Sequence, residues 1–301
     1  MFSKSLKNTL IFSSKLSLPS VGQTEKSCVI LRELPKRIKM NTTLQAALIQ
    51  TDIAWENPEK NRLLLAEKIA ALPSNTDLIV LPEMFSTGFS MQPASVAEPM
   101  DGTTLAWMKT QAKEKNAAIT GSIVIKEGST EPSYHNRLLF VYPNGEVAYY
   151  DKKHSFTLAG EEKVYTAGNE RKVIKYKGWR ICPLICYDLR FPVWSRNTEH
   201  YDLLLYVASW PTIRVQAWDS LLKARAIENL SYTIGVNRIG LDGNNFDYSG
   251  NSACYNALGD QLAYDNSGTA TTLLVALDKN SQDELRKKLN FLADRDAFTL
   301  T

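Results

Sequence analysis

Apolar and polar positions change period several times along the chain, and each change predicts an element. Residues 44–50 (LQAALIQ) carry small and branched apolar side chains over a length suited to a β-strand. Asn57-Pro58-Glu59 then opens a helix, because Asn57 can cap it and Pro58 suits the first turn. Leu65, Ile69 and Leu72 follow at i, i+4 and i+7, with Lys60 and Glu67 on the other side. Asp77 leads into a short continuous apolar run, Leu78-Ile79-Val80-Leu81, which predicts a strand buried on both faces. The pattern then predicts a helix over 103–116 and a strand over 117–125. Residues 137–142 and 146–150 flank Pro143-Asn144-Gly145, and Asn-Gly between two β-prone runs is a strong hairpin signal. Further strands are predicted over 180–186, 202–208, 232–237 and 271–277, and helices over 218–229 and 281–289. A turn is predicted at Leu258-Gly259-Asp260.

Strands and helices alternate with some hairpins between them, and no linker or repeat interrupts residues 40–301. This predicts one α/β domain of ~260 residues, at the upper end of what one core supports. Residues 1–39 differ: they are Ser- and Lys-rich, lack a clean period and hold no acid before Glu25. They read as a non-structural extension, with Met40 as the working start. A targeting peptide is the second reading, although the first arginine comes only at Arg32.

Composition narrows the classes. Hydrophobic residues make up 44% and charged residues 22%, as in an ordinary globular protein, which excludes a disordered chain. No apolar run approaches the ~18 residues of a membrane helix, so a spanning protein is not expected. Of 35 Lys/Arg and 32 Asp/Glu, residues 1–40 hold 8 and 2, leaving a body with 27 bases and 30 acids. Such a body gives no reason to expect a nucleic-acid partner. Four cysteines are too few for a disulfide scaffold, and three scattered histidines offer little for a metal site. Neither a Walker A pattern nor a G-x-G-x-x-G is present, so no cofactor is expected.

Three places carry candidate chemistry. Cys186 follows the apolar strand Ile181-Cys182-Pro183-Leu184-Ile185 and precedes Tyr187-Asp188-Leu189-Arg190. A nucleophile at a strand's C-terminal end lies where α/β sheets place ligands, with the next backbone N–H near an oxyanion. The plain alternative is a buried small residue. Glu83 follows another buried strand in Leu81-Pro82-Glu83-Met84-Phe85, as a cap, a salt-bridge partner or a base. Lys152 and Lys153 follow the hairpin, as a solvated charge pair or a functional cation.

The segments LPEMFSTGF, DKKHSF and ICYDLRFP together resemble the nitrilase superfamily of carbon–nitrogen hydrolases, which uses a Glu-Lys-Cys triad in this chain order. CYDLRFPVWSRN, ARAIEN and YTAGN are similar to its omega-amidase branch. The resemblance implies a four-layer α-β-β-α sandwich, a cytoplasmic enzyme (or an organellar one if residues 1–39 direct import) and at least a homodimer. It implies Glu83, Lys152 and Cys186 as catalytic residues. Glu161, rather than Glu162, would be a supporting glutamate, with the Tyr187 backbone N–H at the oxyanion. Phe85, Phe89 and Trp210 are expected to line the substrate pocket. Lys152 is preferred over Lys153 because it matches the family's Lys-x-His phase through His154. Asp188 and Arg190 are expected to form a structural ion pair beneath the nucleophile, and His154 to pack and orient.

The implied reaction is hydrolysis of the terminal amide of small omega-amides such as 2-oxoglutaramate, through a cysteine thioester, releasing ammonia. Another amide or carbamoyl hydrolase of the superfamily is the alternative, and a non-catalytic binding module on the same fold is a third reading. The partners expected are a small amide and water, without nucleic acid or membrane.

Overall fold

The computed structural model describes residues 42–299. The extension expected over residues 1–39 lies outside the described residues. In chain order the elements are β1 (Thr43–Gln50), α1 (Pro58–Ala70), β2 (Leu78–Val80), α2 (Pro93–Val96), α3 (Thr103–Lys115), β3 (Ala118–Glu127), β4 (Ser133–Val141) and β5 (Val147–Asp151). There follow β6 (Ile174–Tyr176), β7 (Trp179–Ile185), α4 (Pro192–Ser195), β8 (Leu203–Ala208), α5 (Val215–Asn229) and β9 (Tyr232–Asn237). The chain continues through β10 (Ile239–Leu241), β11 (Asp247–Ser249), β12 (Ser252–Tyr255), β13 (Gln261–Asp265), β14 (Thr271–Asp278) and α6 (Lys279–Leu289). No helix among the described residues is long and apolar enough to cross a membrane.

Two six-stranded sheets form the centre, in the orders β14-β1-β2-β3-β4-β5 and β13-β12-β9-β8-β7-β6. Each holds three adjacent parallel strands, β1-β2-β3 in one and β7-β8-β9 in the other, flanked by antiparallel neighbours. Strand alternation builds the layers. In β1, Leu44, Ala46 and Leu48 enter the core shared with β7 and β8, while Ala47 and Ile49 pack with Leu65, Ile69, Leu105 and Met108 of α1 and α3. The helical spacing of Leu65 and Ile69 is thus the buried face of α1, each residue worth about 1.5–3 kcal/mol of burial. Asn57 caps that helix by accepting from the Lys60 N–H.

On the other side α5 packs against β9 and the second sheet through Trp218, Leu222 and Ala226. The approach is close enough that a Cβ on Gly235 would stand 2.5 Å from Leu222 Cδ1 and 2.7 Å from Trp218 Cζ2. Polar contacts fasten α6: Gln282 accepts from the Tyr232 N–H and donates to the Asp202 carbonyl, and Arg286 reaches Asp202 and the Tyr201 carbonyl. The arrangement is the mixed α/β fold with two central sheets and outer helices that the four-layer expectation describes.

The structure differs from the sequence pattern in places. The strand read from residue 137 begins at Ser133, because it pairs along its whole length with β3, which itself runs on to Glu127. Strand β6 and the two-stranded ribbon β10-β11 were not predicted; each strand is three residues long and takes its conformation from its partner.

Candidate active site

Parallel strands β2, β7 and β8 deliver Glu83, Cys186 and Ser209 just beyond their C-terminal ends, and Lys152 follows β5 directly. Glu83 and Lys152 come from the first sheet, Cys186 and Ser209 from the second, so the site lies between the two.

Glu83 is fully buried. Its Oε1 accepts from Asn136 Nδ2 at 2.8 Å and from Lys152 Nζ at 3.0 Å, and its Oε2 accepts from the Ser209 N–H at 2.7 Å. Lys152, also buried, donates to both oxygens of Glu161, at 3.0 and 2.8 Å, and lies over the Phe89 ring. Glu161 is buried too and accepts from the Phe156 N–H at 2.5 Å. Glu162, its neighbour, is exposed. Burial would push the Lys152 ammonium down, but the carboxylates of Glu161 and Glu83 outweigh it and hold its pKa above the ordinary 10.5. Burial raises Glu161 above the ordinary 4.5; the Lys152 charge opposes this and the Glu83 charge adds to it. Two carboxylates around one ammonium therefore share a desolvated space, and each oxygen of the Glu83 carboxylate has a donor.

Cys186 opens a 3-10 turn with φ +42°, a backbone conformation that costs energy in a non-glycine residue and re-aims the side chain off the strand. Its Sγ is 3.9 Å from the Ser209 carbonyl. Burial, with the Glu83 charge, pushes the thiol well above its ordinary 9.0, and Lys152 opposes the shift. Glu83 and Lys152 thus act on the thiol in opposite directions. Asp188 holds the turn to the lysine segment: Oδ2 accepts from Tyr150 Oη and the Ile185 N–H, and Oδ1 from the backbone and ring nitrogens of His154. The His154 ring stacks on Phe191 with centroids 3.6 Å apart. Lys153 points elsewhere, its Nζ over the Trp194 ring.

Cys186, Tyr187 and Ser209 border a cavity of about 440 Å³ whose wall includes Trp55, Phe89 and Trp210. Of Glu83, Lys152 and Cys186, only the cysteine is in that wall. Two expectations are corrected here. Phe85 does not line the cavity: its ring is fully buried beside Trp107, seated against Gly121, where a Cβ would come within 2.8 Å of Phe85 Cδ1. Asp188 and Arg190 form no ion pair; Asp188 is saturated by Tyr150, Ile185 and His154, and Arg190 is exposed at the cavity over the Trp210 ring.

Sequence reasoning passed over Asn136, Ser209 and Asn237. Asn136 donates toward both Glu83 and Glu161, and Asn237 accepts from the Trp210 N–H. Two signals were present: a polar triplet, His135-Asn136-Arg137, inside an apolar strand, and Ser209-Trp210-Pro211 directly after a buried parallel strand. Among the described residues no three His, Cys, Asp or Glu side chains gather as metal ligands.

The Carbon-nitrogen hydrolase family model matches residues 45–287. Omega-amidase YafV of Yersinia enterocolitica is 42% identical over 262 residues, 86% of this chain and 99% of its own length. The 2-oxoglutaramate amidase of Bacillus subtilis is 31% identical, covering 71% of this chain and 83% of its own. Among solved structures, the CN-hydrolase superfamily protein XC1258 of Xanthomonas campestris, which carries an arsenic adduct in its active site, superposes with a TM-score of 0.83 at 40% identity, over 86% of this chain and 99% of that one. With family match, relatives and fold in agreement, the chain belongs to the carbon–nitrogen hydrolase family, the nitrilase superfamily, in the branch of the bacterial omega-amidase YafV.

Proposed function

We propose that this protein is an omega-amidase that hydrolyses the terminal amide of short carboxylic acids, such as 2-oxoglutaramate, with Cys186 as nucleophile. The observation that carries the reading is the Cys186 side chain at a cavity wall, backed by the buried cluster of Glu83, Lys152 and Glu161. Glu83 takes the thiol proton as Sγ attacks the amide carbon. The oxyanion meets the Lys152 ammonium and the Tyr187 N–H, which belongs to a first helical turn without an internal acceptor. Glu83 returns the proton to the leaving nitrogen, and ammonia departs from a thioester. Water then gives Glu83 a proton and attacks the thioester, releasing the acid and restoring the thiol. Glu161 keeps Lys152 charged and in place. Arg190, four residues past the nucleophile on the cavity wall, is the partner we assign to the substrate carboxylate.

The relatives named as omega-amidase and 2-oxoglutaramate amidase support the substrate class. A cytoplasmic homodimer belongs to the same proposal and follows from the family resemblance. Light scattering tests the dimer, and cell fractionation separates the cytoplasm from import directed by residues 1–39.

The test of the reaction is ammonia release from 2-oxoglutaramate, succinamate, a nitrile and an N-carbamoyl amino acid, with wild type and Cys186→Ala. The expected result is the highest kcat/KM on the omega-amides and no release by a folded Cys186→Ala protein. A higher value on the nitrile or carbamoyl compound would replace the reading with another hydrolase of the family.

A further inference from the structure

Arginines in this fold are tied down. Among the described residues Arg62, Arg137, Arg171, Arg180, Arg196, Arg225, Arg238, Arg286 and Arg295 each donate at least one side-chain hydrogen bond to a protein oxygen. The two others do not. The guanidinium groups of Arg190 and Arg214 make no hydrogen bond or ion pair among the described residues, and both line the cavity beside Cys186. Each stands over an aromatic face, Arg190 5.0 Å from the Trp210 centroid and Arg214 5.1 Å from the Phe156 centroid.

A guanidinium over a ring uses its face and leaves its N–H edges for a planar anion. Both platforms are held. Trp210 Nε1 donates to the Arg214 carbonyl at 2.8 Å, and the Phe156 N–H donates to Glu161. Asp242, in the same cavity wall, is already satisfied by the N–H groups of Asn244 and Phe246 and by Tyr248 Oη. The cavity therefore presents two uncommitted cations and one committed anion.

We propose that Arg214 is a specificity-determining residue that joins Arg190 in a two-guanidinium site for an anionic group at the substrate end opposite the amide. A carboxylate offers about four acceptor positions, enough for two forks. Arg214, leading into α5 and 24 residues after Arg190 in sequence, brings a second element to the site. Substrates with a free carboxylate are then preferred over neutral amides of the same shape. The inference rests on the amidase reading above for its substrate but not for its anion.

Succinamate and 4-oxopentanamide are near-isosteric, one charged and one neutral. The ratio of their kcat/KM values is expected to fall about 10- to 100-fold in Arg214→Met, the range of a lost charge-assisted hydrogen bond, chiefly through KM. Arg214→Lys should recover part of the ratio, since it keeps the charge but not the fork. An unchanged ratio overturns the proposal, and so does an equal loss on both amides, which marks a structural role. A second measurement needs no turnover: calorimetric binding of succinate, the product of succinamate, to Cys186→Ala. Adding Arg214→Met should weaken it about 10- to 100-fold. Unaltered succinate binding sinks the anion site. Weakened succinate binding in a protein whose wild type hydrolyses neither amide would sink the amidase reading and leave the anion site standing.

Discussion

Lys152 and Lys153 are neighbours in sequence with opposite fates. Successive side chains of an extended segment point to opposite sides, and here one enters the Glu83–Glu161 cluster while the other lies over Trp194. Lys152→Met is expected to lower kcat by ~10²–10³, the effect of losing one oxyanion donor. It should also cost ~3–5 kcal/mol of stability, because two buried carboxylates lose their counter-ion. Lys153→Met, measured in parallel for kcat and Tm, should change kcat less than ~10-fold. A dead Lys153→Met beside a live Lys152→Met would reverse the assignment. The phase was legible through the resemblance of Lys152-Lys153-His154 to the family's Lys-x-His motif. The resemblance also pointed to Glu83 and Glu161 as neighbours of Lys152. How deeply all three are buried, and how that shifts Lys152 and the thiol of Cys186, was not legible, because burial is set by the fold.

At the scale of elements, helix α5 and strand β9 show how packing selects residues that no period marks. Gly235 sits mid-strand, where glycine normally weakens a sheet. Its reason is the helix above, whose Trp218 and Leu222 occupy the space a Cβ would take. Gly235→Ala should therefore destabilise the fold by ~1–3 kcal/mol through overpacking. Urea unfolding measures it, and a stability equal to wild type would mean that α5 shifts freely. Residues of α1 were readable by contrast, because Leu65 and Ile69 repeat at helical spacing on one face, which packs with the apolar residues of β1 and α3. Phe85 deceived for the opposite reason. It lies two residues past Glu83 and is aromatic, but Gly121 opens a seat for it in the core, and Phe89 takes the place at the cavity.

Across the whole molecule, the family match begins at residue 45, and YafV of Yersinia enterocolitica is covered over 99% of its length by 86% of this chain. We therefore expect a protein of residues 40–301 to keep the Tm and kcat of the full chain. A loss of either on removing residues 1–39 would give that segment a structural role.

Local order was written in the chain: strands and helices follow from period, caps and turn residues, which act over a few positions. The three chemical segments were also visible, because LPEMFSTGF, DKKHSF and ICYDLRFP together resemble the nitrilase superfamily, although the position of Glu83, Lys152 or Cys186 alone left a plain structural alternative open. Their union was a matter of tertiary structure, since 69 and 34 residues separate them and only the packing of one sheet on the other brings the strand ends together. The same packing left Asp188 satisfied by Tyr150 and His154, and left Arg190 and Arg214 over aromatic rings with their N–H edges uncommitted. A sequence counts charges, but whether a charge has a partner depends on distance and burial, which the fold alone decides.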